Sequence, residues 1–302
     1  MGSRGISSGY QLDAVTNRFL DDFPVHCHFR KGMIGQSEMH AHRGYELYFC
    51  LEGNGKLLVG DRVYSLLPGA FAIMKPHVLH LPRVIGTKPL HRVVLSIDER
   101  YALAAFDNAP GIGNCVRALL TEPQSPSSYW LLPAAKAEAI RDVLLRLTRE
   151  ISEKPLYYEA AIHHLLAELF VALVREQLSP PAADEADNVT FHLAQRILQY
   201  LAAHYAESIE VSRLHERFNV SRSHMYDHFK QATGHSLNRY LTIYRINQAK
   251  RLLLDTLLSV TEIASTVGFV DLSHFFHTFK SETGRTPNTY RKGTGKIMPP
   301  KS

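Results

Sequence analysis

Cysteine is scarce in this 302-residue chain, which holds only Cys27, Cys50 and Cys115. An odd, widely separated set with no CxxC spacing excludes a disulfide framework and a cysteine-based zinc site, and fits idle thiols in a reducing compartment. Long apolar runs are missing too. None approaches the roughly 18 residues that a membrane-spanning helix needs. The opening "MGSRGISSGYQLD" lacks the apolar core of a secretory signal, so the expected address is the cytoplasm. The length leaves room for about two domains, and 45% hydrophobic with 21% charged residues is ordinary globular composition.

Negative charge is sparse in one half. From residue 188 onward there are 15 Lys and Arg against 8 Asp and Glu, whereas residues 1–187 hold 19 against 21. The net +5 is therefore carried by the C-terminal part, and a positive field confined to one domain points to a polyanionic partner, most simply nucleic acid.

That same part repeats itself. "SHMYDHFKQATGHSLNRY" (223–240) and "SHFFHTFKSETGRTPNTY" (273–290) share Ser, His, Phe, Lys, Thr, Gly, Asn and Tyr at a constant offset of fifty. Unrelated segments would share about one such position, so this is a duplicated supersecondary unit. A short helical pattern and a turn precede each copy: Val211, Leu214 and Phe218 before "NVS", and Val260, Ile263 and Val267 before "GFVD". Ser259 with Glu262 has capping-box spacing, Ser221 and Asp271 suit N-caps, and Gly268 suits the second turn. Each copy then reads as helix, turn, helix. With Met225, Phe229, Phe275 and Phe279 in the core, the outward residues are Arg222, Ser223, Tyr226 and Asp227 in the first copy. In the second they are Leu272, Ser273, Phe276 and His277. A helix-turn-helix offers such side chains to base edges in the major groove, and Ser221, Lys230, Lys280, Arg285, Arg291 and Lys292 would hold phosphates. Between the copies, "LNRYLTIYRINQAKRLLLD" is long enough for one connector helix, which would space two readers about 34 Å apart. The alternative is a helical repeat used only for protein contacts.

Upstream, "SPPAADEADN" (179–188) is the expected linker. Residues 23–97 hold short aromatic and β-branched runs broken at "EGNGK", "VGDR" and "LPGA", as in an all-β sandwich or barrel. From Pro133 the period changes. Ile140, Leu144, Leu147 and Ile151, then Ile162, Leu165, Leu166, Leu169 and Leu173, form two helical stripes joined around Lys154 and Pro155. This hairpin packs either on the β domain or on a second subunit.

"VTEIASTVGFVDLSHFFHTFKSETGRTPNTYR" and "SRSHMYDHFKQATGHSLNRYLTIYRINQAKRLLL" resemble the AraC/XylS family of transcriptional regulators over about residues 191–291. The resemblance implies binding to direct-repeat-like DNA and recruitment or exclusion of RNA polymerase. Asp227 departs from it, standing where many relatives carry Arg; beside phosphates a carboxylate is repelled unless it accepts from a cytosine amino group.

"GQSEMHAHRGYELYFCLEG" (35–53) and "PGAFAIMKPHVLH" (68–80) resemble the two motifs of the cupin barrel in the version fused to such DNA-binding domains. The first motif is one residue short between Gly35 and His40. The second carries Lys75, His77 and Val84 where Pro, Gly and Asn are expected. His40 and His42, two apart on a strand, share a face, and Glu46 and His80 would complete three histidines and a carboxylate suited to Zn, Ni, Mn or Fe. The alternative, which we expect here, is a pocket for an organic ligand with no cofactor required. Arg83, Tyr45, Tyr48 and Tyr64 are further candidate pocket donors.

The expected architecture is therefore multidomain α and β. A cupin-like β-barrel for sensing (1–115) precedes a helical hairpin for dimerisation with its linker (116–187), and an all-α domain with two helix-turn-helix motifs and a connector helix follows (188–295). The expected function is a sequence-specific transcriptional regulator, active as a homodimer, whose inducer is a small molecule such as a sugar or related metabolite. A metal-dependent cupin enzyme fused to DNA-binding modules is the alternative. No separate acid/base constellation accompanies the histidines, so no enzymatic activity is expected.

Overall fold

The computed structural model describes residues 14–32, 39–106, 111–121, 127–177 and 189–292. The linker expected at 179–188 and Gly35 of the first histidine motif lie outside them. The described residues divide into two compact units, one ending at residue 177 and one beginning at residue 189.

The first unit opens with α1 (Ala14–Asp22), then runs through β1 (Val25–Arg30), β2 (Tyr45–Glu52), β3 (Gly55–Val59), β4 (Arg62–Leu66), β5 (Ala70–Met74), β6 (His80–Val84) and β7 (His91–Ile97). Helices α2 (Glu99–Ala104) and α3 (Ile112–Thr121), strand β8 (Ser127–Leu131), and helices α4 (Ala134–Glu153) and α5 (Tyr158–Gln177) complete it. The strands form two antiparallel sheets, β1-β7-β2-β5-β8 and β4-β3-β6. Gly60 leads the two-residue loop between β3 and β4 with φ at +56°, a left-handed value that costs glycine little.

Strand alternation explains why β2 and β5 are buried on both sides. Tyr45, Leu47, Phe49, Phe71 and Ile73 pack against Ile140, Val143, Leu144 and Leu147 of α4 and Ile162, Leu166 and Phe170 of α5. Tyr48, Cys50, Ala70, Ala72 and Met74 point the other way, into a core shared with Leu57, Val59 and Leu66 of the smaller sheet. The layers are thus helical hairpin, large sheet, small sheet. The hairpin's stripes pack on their own sheet, one of the two placements that periodicity left open. Lys154 ends α4 in the left-handed region, and Pro155 follows, as it commonly does after a helix stop.

The second unit is helical: α6 (Val189–His204), a 3-10 turn (Val211–Arg213), α7 (Leu214–Phe218), α8 (Arg222–Thr233), α9 (Leu237–Asp255), α10 (Val260–Thr266), α11 (Leu272–Thr283) and α12 (Pro287–Lys292). Matching chemistry starts and stops the repeated helices. Ser221 accepts from the His224 amide at 3.2 Å and Asp271 from the Ser273 amide at 2.8 Å, while Gly234 and Gly284 close α8 and α11 in the left-handed region. Ser259 and Glu262 form the reciprocal capping box at 3.2 and 2.7 Å. Met225 and Phe229 are buried in α8, and Phe275 and Phe279 in α11. The connector α9 is one continuous helix of 19 residues.

Candidate nucleic-acid interface and sensing site

The first turns of α8 and α11 present the faces expected from the repeat. Ser221, Arg222, Ser223, Asp227 and Lys230 are exposed, as are Leu272, Ser273, His277 and Lys280; Tyr226 and Phe276 are half-buried. Some are already engaged. The Arg222 guanidinium lies 5.7 Å from the Tyr226 ring centre, and Asp227 accepts from the Ser223 hydroxyl at 3.1 Å. Phe276 leans on Phe275 at 6.0 Å and packs against the core, so only part of its ring faces outward. Arg285 and Lys292 are exposed. Arg291 is engaged within the unit: its Nε donates to the Leu253 carbonyl at 3.3 Å and an Nη to the Leu258 carbonyl at 2.5 Å. Those bonds satisfy the end of α9 and the following loop. Three exposed residues beside the expected set were passed over: His224, His274 and Val270. The first two are repeat-matched, which was the available signal.

In the first unit, His40, His42, Glu46 and His80 are all buried, and their ligand atoms lie within 4.8 Å of one another. His40 meets His80 through paired backbone bonds, His40 N to His80 O at 3.1 Å and the reverse at 2.9 Å. Glu46 stands on β2 on the same face as Tyr48, opposite Ser96 of β7. Its Oε2 is 2.9 Å from His42 Nε2 and its Oε1 3.5 Å from His80 Nε2.

The other ring nitrogens settle what this requires. Nδ1 of His42 lies 3.2 Å from the Arg43 carbonyl and Nδ1 of His80 lies 2.9 Å from the Val78 carbonyl. A carbonyl only accepts, so both Nδ1 atoms carry hydrogen. Each Nε2 therefore faces the carboxylate with a lone pair unless a cation, a proton or a metal, sits between. Burial works against the Glu46 carboxylate, yet hydrogen bonding and charge from His42 and His80, which need a proton on Nε2, outweigh it and hold its carboxyl well below the usual range. Burial, with His80 beside it, drives the His40 imidazole well below its ordinary value, so it stays neutral; its Nδ1 has no hydrogen-bond partner among the described residues.

Other expected pocket residues divide. Tyr48 lines the core between the sheets, its hydroxyl buried. Tyr64 stacks on Tyr129 at 4.7 Å and shares a 3.0 Å bond with Ser127. Tyr45 points to the helical hairpin, and Arg83, three residues beyond His80 on β6, lies on the opposite strand face beside Lys56. Neither joins the cluster. His77 takes φ of +61° where a cupin glycine was expected, and its amide donates to the His42 carbonyl at 2.8 Å.

Residues 23–202 match the AraC-like ligand binding domain, and residues 214–293 match a helix-turn-helix domain. The chain belongs to the AraC family. It is similar to the HTH-type transcriptional activator RhaS of Escherichia coli O81 (strain ED1a), with 25% identity over 84% of this chain and 87% of that protein. Among solved structures it is similar to ToxT from Vibrio cholerae, 13% identical with a TM-score of 0.38 over 89% of this chain and 98% of that one. It is also similar to the C-terminal domain of AraT, a response regulator from Geobacillus stearothermophilus, 33% identical with a TM-score of 0.33 over 33% of this chain and 84% of that one. This AraC-family chain is a transcriptional regulator with a ligand-binding domain, not an enzyme. Its helix-turn-helix domain implies DNA, and its N-terminal domain a small-molecule effector. Among the described residues no helix is long and apolar enough to cross a membrane.

Proposed function

We propose that the pairs α7–α8 and α10–α11 are two helix-turn-helix readers, with α8 and α11 as recognition helices entering successive major grooves. The observation that carries this reading is the duplication: a side-chain N-cap at Ser221 and at Asp271, glycine stops, paired buried apolar residues (Met225 and Phe229, Phe275 and Phe279), and outward polar faces backed by Lys230 and Lys280. A repeat built only for protein contacts has no need to keep cationic and polar residues at equivalent exposed positions. Asp227, steadied by Ser223, would select cytosine through its amino group.

The β-rich unit is read as a cupin-type domain that senses a small molecule, a sugar or related metabolite, and controls the readers. The four-residue cluster fits a divalent transition metal: three imidazoles and one carboxylate converge, and His42 and His80 turn lone pairs toward Glu46. Such an ion would offer an effector oxygen a Lewis-acidic anchor. Like RhaS by its name, the regulator would activate transcription, through RNA polymerase, as a cytoplasmic homodimer.

Substitutions on the two recognition helices test the reading on duplexes obtained by selection. Arg222→Ala and His277→Ala relax preference at particular base pairs, by about 1–3 kcal/mol for a specific contact. Lys230→Ala and Lys280→Ala weaken all sequences alike. Altered preference in the lysine variants, with Arg222 and His277 silent, would show that the helices face the groove differently.

A further inference from the structure

Two readers on one chain gain from each other only if their spacing is held, and α9 alone is one contact between them. The structure contains two further links. At the first, α6, which packs on the first reader through Tyr200 against Phe218 at 6.0 Å, ends in carbonyls held by the connector. Arg245 of α9 donates from Nε to the Tyr205 carbonyl and from an Nη to the Glu207 carbonyl, both at 2.7 Å. The turn of the second reader sits on that same end. A Cβ on Gly268, where φ is +86°, would fall 2.7 Å from the Tyr205 carbonyl oxygen, so only glycine allows the approach.

At the second link, Arg239 in the first turn of α9, beside the end of the first reader, makes a two-pronged ion pair with Glu282 of α11, at 2.5 and 3.0 Å. The Glu282 side chain is almost fully buried and Arg239 largely so. The repeat shows that this carboxylate is an addition: the equivalent position in the first copy is Ala232, buried without a charge. A buried charge is costly unless paired, so the helix packing here is tied to one geometry of the pair.

We infer that Arg245 on the end of α6, and Arg239 on Glu282, are positioning residues that lock the two readers into one rigid body and so make DNA binding depend on half-site spacing. The inference rests on the reading of both units as DNA readers. A rigid link gives the second reader a high effective concentration at the matched spacing and almost none elsewhere, whereas a loosened link spreads that concentration over many spacings.

The test uses the full chain on a selected duplex, on the same duplex with two base pairs inserted between half-sites, and on each half-site alone. One variant is Arg239→Gln with Glu282→Ala, which restores the first copy's residue and leaves no orphan charge; the other is Arg245→Gln. A thermal melt identifies the folded variants, and either one suffices. The insertion should weaken the native protein about a hundredfold and a folded variant about tenfold or less, with half-site affinity within about twofold of native. The same insertion penalty in both variants overturns the inference, as does a half-site loss equal to the full-site loss. A native footprint confined to one groove instead removes the two-reader reading, and the inference with it.

Discussion

Single residues decide the sensing site. On the metal reading proposed above, with His42 and His80 holding hydrogen on Nδ1, protein purified without chelator should carry about one transition-metal ion per chain. Elemental analysis checks this, and His42→Ala should lose the ion while keeping the fold. Protons compete for the same lone pairs. Acidification should therefore release the ion. Metal-free protein would assign the cluster instead to a pocket for an organic ligand with no cofactor required. This cluster was legible in the sequence because alternation puts His40 and His42 on one face. Arg83 stands apart from the cluster because of strand phase, which the sequence alone does not fix: three residues from His80 is the opposite parity. The carbonyl partners of Arg291 and the buried Lys250, whose ammonium burial lowers to about 7 beside Asn247 at 2.9 Å, leave no trace in a charge count.

At the scale of elements, punctuation was the most readable signal. Ser221, Asp271 and the Ser259–Glu262 box start their helices where the spacing placed them, because a cap is a local contact between residues two or three apart. The same locality makes them testable: Ser259→Ala should lower the stability of the helical unit by about 1 kcal/mol in chemical denaturation. A change within error would mean that water replaces the cap without cost. What the stripes on α4 and α5 left open was their partner. An apolar face says that something covers it, and here Phe71, Leu47 and Leu95 of the large sheet do. Strand pairing was equally hidden, since β2 bonds to β5 and β7, neither its neighbour in sequence.

For the whole molecule, charge and architecture agree. The basic excess from residue 188 onward belongs to the unit that matches the helix-turn-helix domain, while the ligand-binding unit carries a slight acidic excess and the buried cluster of three histidines and Glu46. That division suits a regulator in which one unit binds a polyanion and the other a small effector. The most direct measurement is selection of the full chain on random duplexes, followed by hydroxyl-radical footprinting and titration over a range of salt. The account predicts an enriched site with two protected segments about 10 base pairs apart on one face of the helix. It also predicts an affinity whose logarithm falls linearly with the logarithm of salt concentration as counterions are released. No enriched sequence, or binding indifferent to salt, would contradict it.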